Sequence, residues 1–122
     1  MRFCCILVCL ICVGCYNAKR DCSNFKTGTF SFQYTIDGVV ETGKFKRSEK
    51  YNIDYFDNKI DSASVRWIND CEFVLKKINP ESKIEEKAVH MKILSTTDTS
   101  YTFEYNFVGE AFKQKGNATK TN

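Results

Sequence analysis

Apolar and polar residues alternate strictly from Thr29 to Ile36, with Phe30, Phe32, Tyr34 and Ile36 on one side and Thr29, Ser31, Gln33 and Thr35 on the other. A period of two over that length predicts a strand with one face buried. Asp37-Gly38 then supplies a two-residue hairpin turn, and Val39 to Arg47 predicts the return strand, with Gly43 a bulge or bend. Lys50 to Phe56 alternates through Tyr51, Ile53 and Tyr55, and Asp57-Asn58 reads as a turn. Ala63, Val65 and Trp67 share a face of the next strand, Asn69-Asp70 turns the chain, and Cys71, Phe73 and Leu75 share a face of the one after. The pattern breaks at Asn79-Pro80, where an N-cap residue, a proline suited to the first helical position and the following Glu81 predict one short helix or helical turn near residues 80–87. Alternation resumes with Val89, Met91 and Ile93, and after Thr97-Asp98 with Tyr101, Phe103, Tyr105 and Phe107; a weaker last strand runs from about Phe112 to Lys120.

The expected fold is therefore all-β, an antiparallel meander of about eight strands forming a barrel or strongly curved sheet. A two-layer sandwich is the alternative. A parallel sheet is excluded, because no helical crossovers separate the strands.

The first fifteen residues differ from the rest. They hold 5 of the 7 cysteines and, from Phe3 to Val13, an apolar run preceded by Arg2. That run is shorter than the roughly 20 residues a spanning helix needs, and has the length of a signal-peptide core. It ends Cys12-Val13-Gly14-Cys15, which resembles the bacterial lipobox, a small residue before an obligatory cysteine. The resemblance implies a signal helix in residues 1–14, cleavage before Cys15 and acylation of its thiol. Acyl chains on Cys15 would then attach the protein to a membrane. Residues 15–24 read as a lipidated tether, and residues 25–122 as the β domain.

Cleavage removes Arg2 and takes the net charge from +3 to +2, so no basic footprint for nucleic acid remains. Only Cys15, Cys22 and Cys71 survive it. With Cys15 acylated in an oxidising compartment, Cys22 and Cys71 are the natural disulfide pair, the alternative being that Cys71 is a buried strand residue.

The chemical inventory is thin. The single histidine, His90, falls between Val89 and Met91 on the face opposite theirs, with no second histidine or cysteine at ligand spacing. Asp54, Asp57 and Asp61 bracket a turn without the glycine or distal glutamate of a calcium loop, and turn chemistry explains them. No phosphate loop or nucleophile elbow occurs. Lys44-Phe45-Lys46-Arg47 reads as a strand with a solvated face. No catalytic residue, metal or cofactor is expected, and the protein is read as a non-enzyme. Trp67, within five residues of a turn and of Cys71, is either part of a structural corner or a contact for a ligand or partner.

Several segments, Phe25-Lys26-Thr27-Gly28-Thr29-Phe30, Val65 to Phe73, His90 to Leu94 and Thr97 to Tyr105, resemble those of small uncharacterised lipoproteins of Bacteroidetes, especially flavobacteria. The resemblance implies a lipid-anchored protein of the cell envelope, at the outer membrane, and carries no catalytic residue with it. Members of such groups sometimes bear the label DNA topoisomerase IV, whose nucleophilic tyrosine, acidic metal site and ATPase partner are not recognisable here. Two functions are expected in turn: a non-catalytic binding or structural module for an envelope protein or small apolar ligand, or a lipid-anchored inhibitor of a secreted hydrolase, like the lysozyme inhibitors.

Overall fold

A computed structural model describes residues 20–122; the signal segment, its expected helix and Cys15 lie outside the described residues. Eight antiparallel strands follow one another in chain order around a closed barrel. They are β1 (Gly28–Ile36), β2 (Val39–Arg47), β3 (Tyr51–Phe56), β4 (Lys59–Asn69), β5 (Glu72–Lys77), β6 (Val89–Thr96), β7 (Ser100–Phe107) and β8 (Gln114–Lys120). The meander is closed rather than a sandwich, because β8 returns to pair with β1.

Local chemistry sets the hairpins. Asp37 and Gly38 take φ of 50° and 79°, and Asp57 and Asn58 take 48° and 57°, the left-handed pairs that match the twist of the flanking strands. At the β4–β5 turn the Asn69 side chain accepts the Cys71 amide at 2.9 Å, holding the cysteine in place.

Of the short helix or helical turn expected near residues 80–87, the turn forms and the helix does not. Residues 81–87 make a hydrogen-bonded turn, with Glu86 N donating to Ser82 O at 3.2 Å and Lys87 N to Ile84 O at 3.1 Å. The Ser82 hydroxyl caps the Glu85 amide and the Glu85 carboxylate accepts from the Glu81 amide, bonds like those of a helix start, yet the segment ends before a second turn. Across the described residues the only helical element is a 3-10 helix, Cys22–Phe25.

That 3-10 helix closes one end of the barrel. Phe25, Phe30, Phe73 and Ile93 are at most 1% exposed there, Tyr101 2%, and the Phe30 and Phe45 rings stack at 4.8 Å. The described part of the stretch expected as a tether, residues 20–24, belongs to this closure: Arg20 donates to Ile93 O at 3.3 Å and the Asp21 amide to Thr96 Oγ1 at 2.8 Å. Cys22 and Cys71 are disulfide-bonded, with Cα atoms 5.2 Å apart, and staple the 3-10 helix to the β4–β5 turn.

Outward positions along β1, β2 and β8 carry Thr29, Ser31, Gln33, Lys44, Lys46, Asn117 and Thr119. The outward face of these three strands is therefore polar.

The disulfide closes a loop of 49 residues, for which loop-closure entropy gives about 4 kcal/mol. Replacing both Cys22 and Cys71 with Ser is expected to lower the unfolding free energy by that order in urea titrations. A variant as stable as the parent would show the staple to be energetically idle.

Candidate binding cavity

The barrel is packed at one end and hollow toward the other. Above the packed floor lies a cavity of about 420 Å³, walled by Phe32, Tyr34, Phe45, Met91, Phe103 and Tyr105 among others. A second chamber of about 300 Å³ runs on toward Phe56, Lys77 and Phe107, and the two share Asp54, Leu75 and Val89. Both volumes lie in the range of small-molecule sites.

Strand pairing explains why the interior is not filled. Phe32 pairs with Gly43 and Phe103 with Gly116, so each ring lies over a residue that has no side chain. A Cβ built on Gly43 would come within 2.4 Å of Phe32, and one on Gly116 within 2.7 Å of Phe103. The two glycines let the rings lie back against the wall. The seam between β1 and β8 is paired only at Phe30–Lys120 and Ser31–Thr119. Beyond it Gln33, Lys115 and Asn117, at outward positions, border the cavity, which therefore opens sideways as well as at the mouth.

The floor is built on Arg47, which is 4% exposed. Its Nη2 donates to Phe25 O at 2.5 Å and to the Tyr101 hydroxyl at 3.2 Å, and its Nε to Lys26 O at 3.0 Å. The rings of Phe73 and Phe30 lie 4.7 and 5.0 Å from the guanidinium. No carboxylate among the described residues forms an ion pair with it; the carbonyls at the end of the 3-10 helix and the aromatic faces take that place.

β2 carries Phe45 and Arg47 inward, so their register partners Asp54 and Asn52 on β3 also face inward. This reverses the face that the aromatics of β3 suggest: Tyr51 and Tyr55 are 50% and 40% exposed, and the polar residues line the interior. Asn52 donates to Asp54 Oδ1 at 3.0 Å. Asp61, opposite Asp54, is held by Lys77 at 3.4 Å, and Lys77 also pairs with Glu85. Those contacts raise the Lys77 pKa and lower that of Glu85. Asp54 has no such cation, and loss of water pushes its carboxyl up to about 6; Asp61 adds to the rise, while Asn52, Arg47 and Lys77 oppose it. Burial likewise raises the Tyr101 phenol.

Trp67 belongs to the floor. It packs on Phe73 at 4.5 Å with Lys26 Nζ 5.0 Å from its ring, and does not border either chamber. His90 is half-buried at an outward position of β6, opposite Val74 and Asn106. Among the described residues no three His, Cys, Asp or Glu side chains are grouped to hold a metal ion. Lys44 and Lys46 are exposed as the strand pattern suggests, whereas Arg47 is buried. Spacing held a signal for that, since Arg47 stands two residues from Phe45 and so shares its face.

Apolar side chains crowd the mouth. Val39, Val40, Ile60, Ile84, Val108 and Phe112 lie in or beside the turns at this end and are 57–74% exposed.

A carboxyl raised by the fold weakens the fold when it ionises. Well below pH 3.8, folded and unfolded Asp54 are both protonated; stability is lost as pH rises from 3.8 to about 6, by roughly 3 kcal/mol. Asp54→Asn is therefore expected to raise the unfolding free energy at pH 7.5 by about that amount and to match the parent below about pH 4. A variant no more stable at pH 7.5 would contradict the desolvated position of this carboxyl.

No protein-family model, curated protein or solved structure matches the chain.

Proposed function

We propose that the protein is a lipid-anchored envelope protein that binds a small, largely apolar molecule inside its barrel, without catalysis. The observation that carries this reading is the aromatic-walled cavity above a packed floor. The apolar rim at the mouth and the short β1–β8 seam supply routes of entry for an apolar molecule. A hydrolase inhibitor would be expected to present a polar plug, whereas the exposed apolar side chains here lie at the mouth turns.

The anchor follows from the lipobox-like Cys12-Val13-Gly14-Cys15 and the resemblance to flavobacterial lipoproteins, with the outer membrane as its proposed place. Arg20 and Asp21 are held at the closed end, and the five residues from Cys15 to Arg20 reach at most about 18 Å. A membrane holding Cys15 would thus lie near the closed end, and the mouth would project away from it.

Two experiments test the reading. The neutral dye Nile red should bind one molecule per chain with a blue-shifted emission. Gly116→Val, which drives the Phe103 ring into the cavity, should weaken that binding about tenfold or more while the barrel still melts cooperatively. Unchanged dye binding in a folded Gly116→Val protein would place the dye elsewhere and sink the cavity reading. Separately, Cys15→Ala should move the protein from the detergent fraction to the soluble envelope fraction; retention in the membrane would refute the lipid anchor.

A further inference from the structure

The cavity has polar chemistry as well as volume, and its donors and acceptors are unequally committed. Arg47, the cation of the floor, turns Nε and Nη2 to the carbonyls of Phe25 and Lys26 and to the Tyr101 hydroxyl, with rings against its faces. Lys77 is held between Asp61 and Glu85. The Tyr105 hydroxyl donates to Gln114 Oε1 at 2.6 Å, and the Tyr34 hydroxyl accepts the Asp57 amide at 3.2 Å. Among the carboxylates of the two chambers Asp54 is the exception, since Asp61 and Glu85 are both paired with Lys77. Asp54 borders both chambers, receives one hydrogen bond, from Asn52, and has no cation within ion-pair distance among the described residues. An ionised carboxylate accepts at two oxygens, about four lone-pair sites in all, so acceptor capacity is left over where the chambers meet.

We infer that the cavity takes a linear amphipath whose polar end is a hydrogen-bond donor, best a primary amine, set against the Asp54 carboxylate, with its chain along the aromatic wall. This rests on the reading of the barrel as a ligand carrier and names the ligand class. A protonated amine supplies the missing charge-assisted donors, and the aromatic rings of Phe32, Tyr34 and Phe45 line the same chamber. An alcohol supplies one neutral donor. A fatty acid supplies none when ionised and brings a second negative charge to Asp54.

The groups that face Asp54 from the surrounding strands and loops are Tyr34, Arg47, Asp61, Lys77, Tyr101 and Tyr105, with Glu85, Lys87 and Lys115 at the chamber edges. Among them Asp54 is the one whose carboxyl is raised to about 6, so amine binding should weaken as pH falls toward 4.5, where an alkylamine stays charged and Asp54 does not.

The test displaces Nile red with decylamine, decanol and decanoate, each kept below its micelle concentration, from the Cys15→Ala chain, which retains every described residue. At pH 7.5 decylamine should displace the dye at a concentration about tenfold or more below that of decanoate, with decanol between, the size expected of one charge-assisted hydrogen bond. Asp54→Asn should bring the three within about threefold of one another, and pH 4.5 should do the same for the parent. Asp98→Asn, at an exposed turn of the closed end, should leave the order unchanged, and melting curves identify any variant that does not fold. Tightest binding of decanoate, equal binding of all three, or an amine preference that survives Asp54→Asn would overturn the head-group inference and leave the carrier reading standing. Failure of the dye and all three amphipaths to bind a folded parent would overturn both.

Discussion

A buried guanidinium organises this barrel. Arg47 sits where the 3-10 helix, β1, β5 and β7 converge, and takes up two carbonyls that the 3-10 helix leaves without partners. A charge removed from water is tolerated only if its donors are bonded and its faces covered. The Phe25 and Lys26 carbonyls and the Tyr101 hydroxyl take Nε and Nη2, the rings of Phe30 and Phe73 lie against the guanidinium, and together they fix the height of the floor. The disulfide between Cys22 and Cys71 holds the 3-10 helix against the same end from the side. Stability is thus concentrated at one end of the molecule, and the opposite end is left with an interior that need not pack.

The hollow follows from the same register that buries Arg47. Antiparallel partners face the same way, so an inward Arg47 and Phe45 bring Asn52 and Asp54 inward too. Two polar residues then occupy wall positions that aromatics would have filled. Gly43 and Gly116 act in the same direction, because the rings opposite them recline rather than meet across the barrel. The outcome is a cavity with aromatic walls and a carboxylate, Asp54, that has no ion-pair partner among the described residues.

Much of the fold was legible from residue patterns. β1 and β7 alternate so regularly that their inward faces follow at once, the Asp37-Gly38 and Asp57-Asn58 turns mark their hairpins, and the strand count and the cysteine pair are legible in the same pattern. β3 misleads because tyrosines serve equally on a wet outer face, where their hydroxyls stay solvated, so alternation alone did not tell inside from outside. The segment at 80–87 carries the capping chemistry of a helix but too few residues to propagate one. The 3-10 helix has no periodic signal, being a single turn. The site was the least visible part: Asp54 read as turn chemistry and Arg47 as a surface cation, and only the pairing of β2 with β3 brings them to one chamber. Trp67, the most conspicuous residue in its segment, proved to belong to the floor.

The claim that an open interior stands above a packed floor can be tested at single methyl groups. Leu75, Val89 and Met91 line the chambers, whereas Ile53 and Ile68 sit at outward positions and Ile93 is sealed in the floor. A methyl NMR titration of the folded chain with decylamine should shift Leu75, Val89 and Met91 together and saturably, leaving Ile53, Ile68 and Ile93 in place. Shifts confined to the outward methyls, or to the exposed rim at Val39, Val40 and Ile60, would mean that the interior is closed and that the barrel binds, if at all, on its surface.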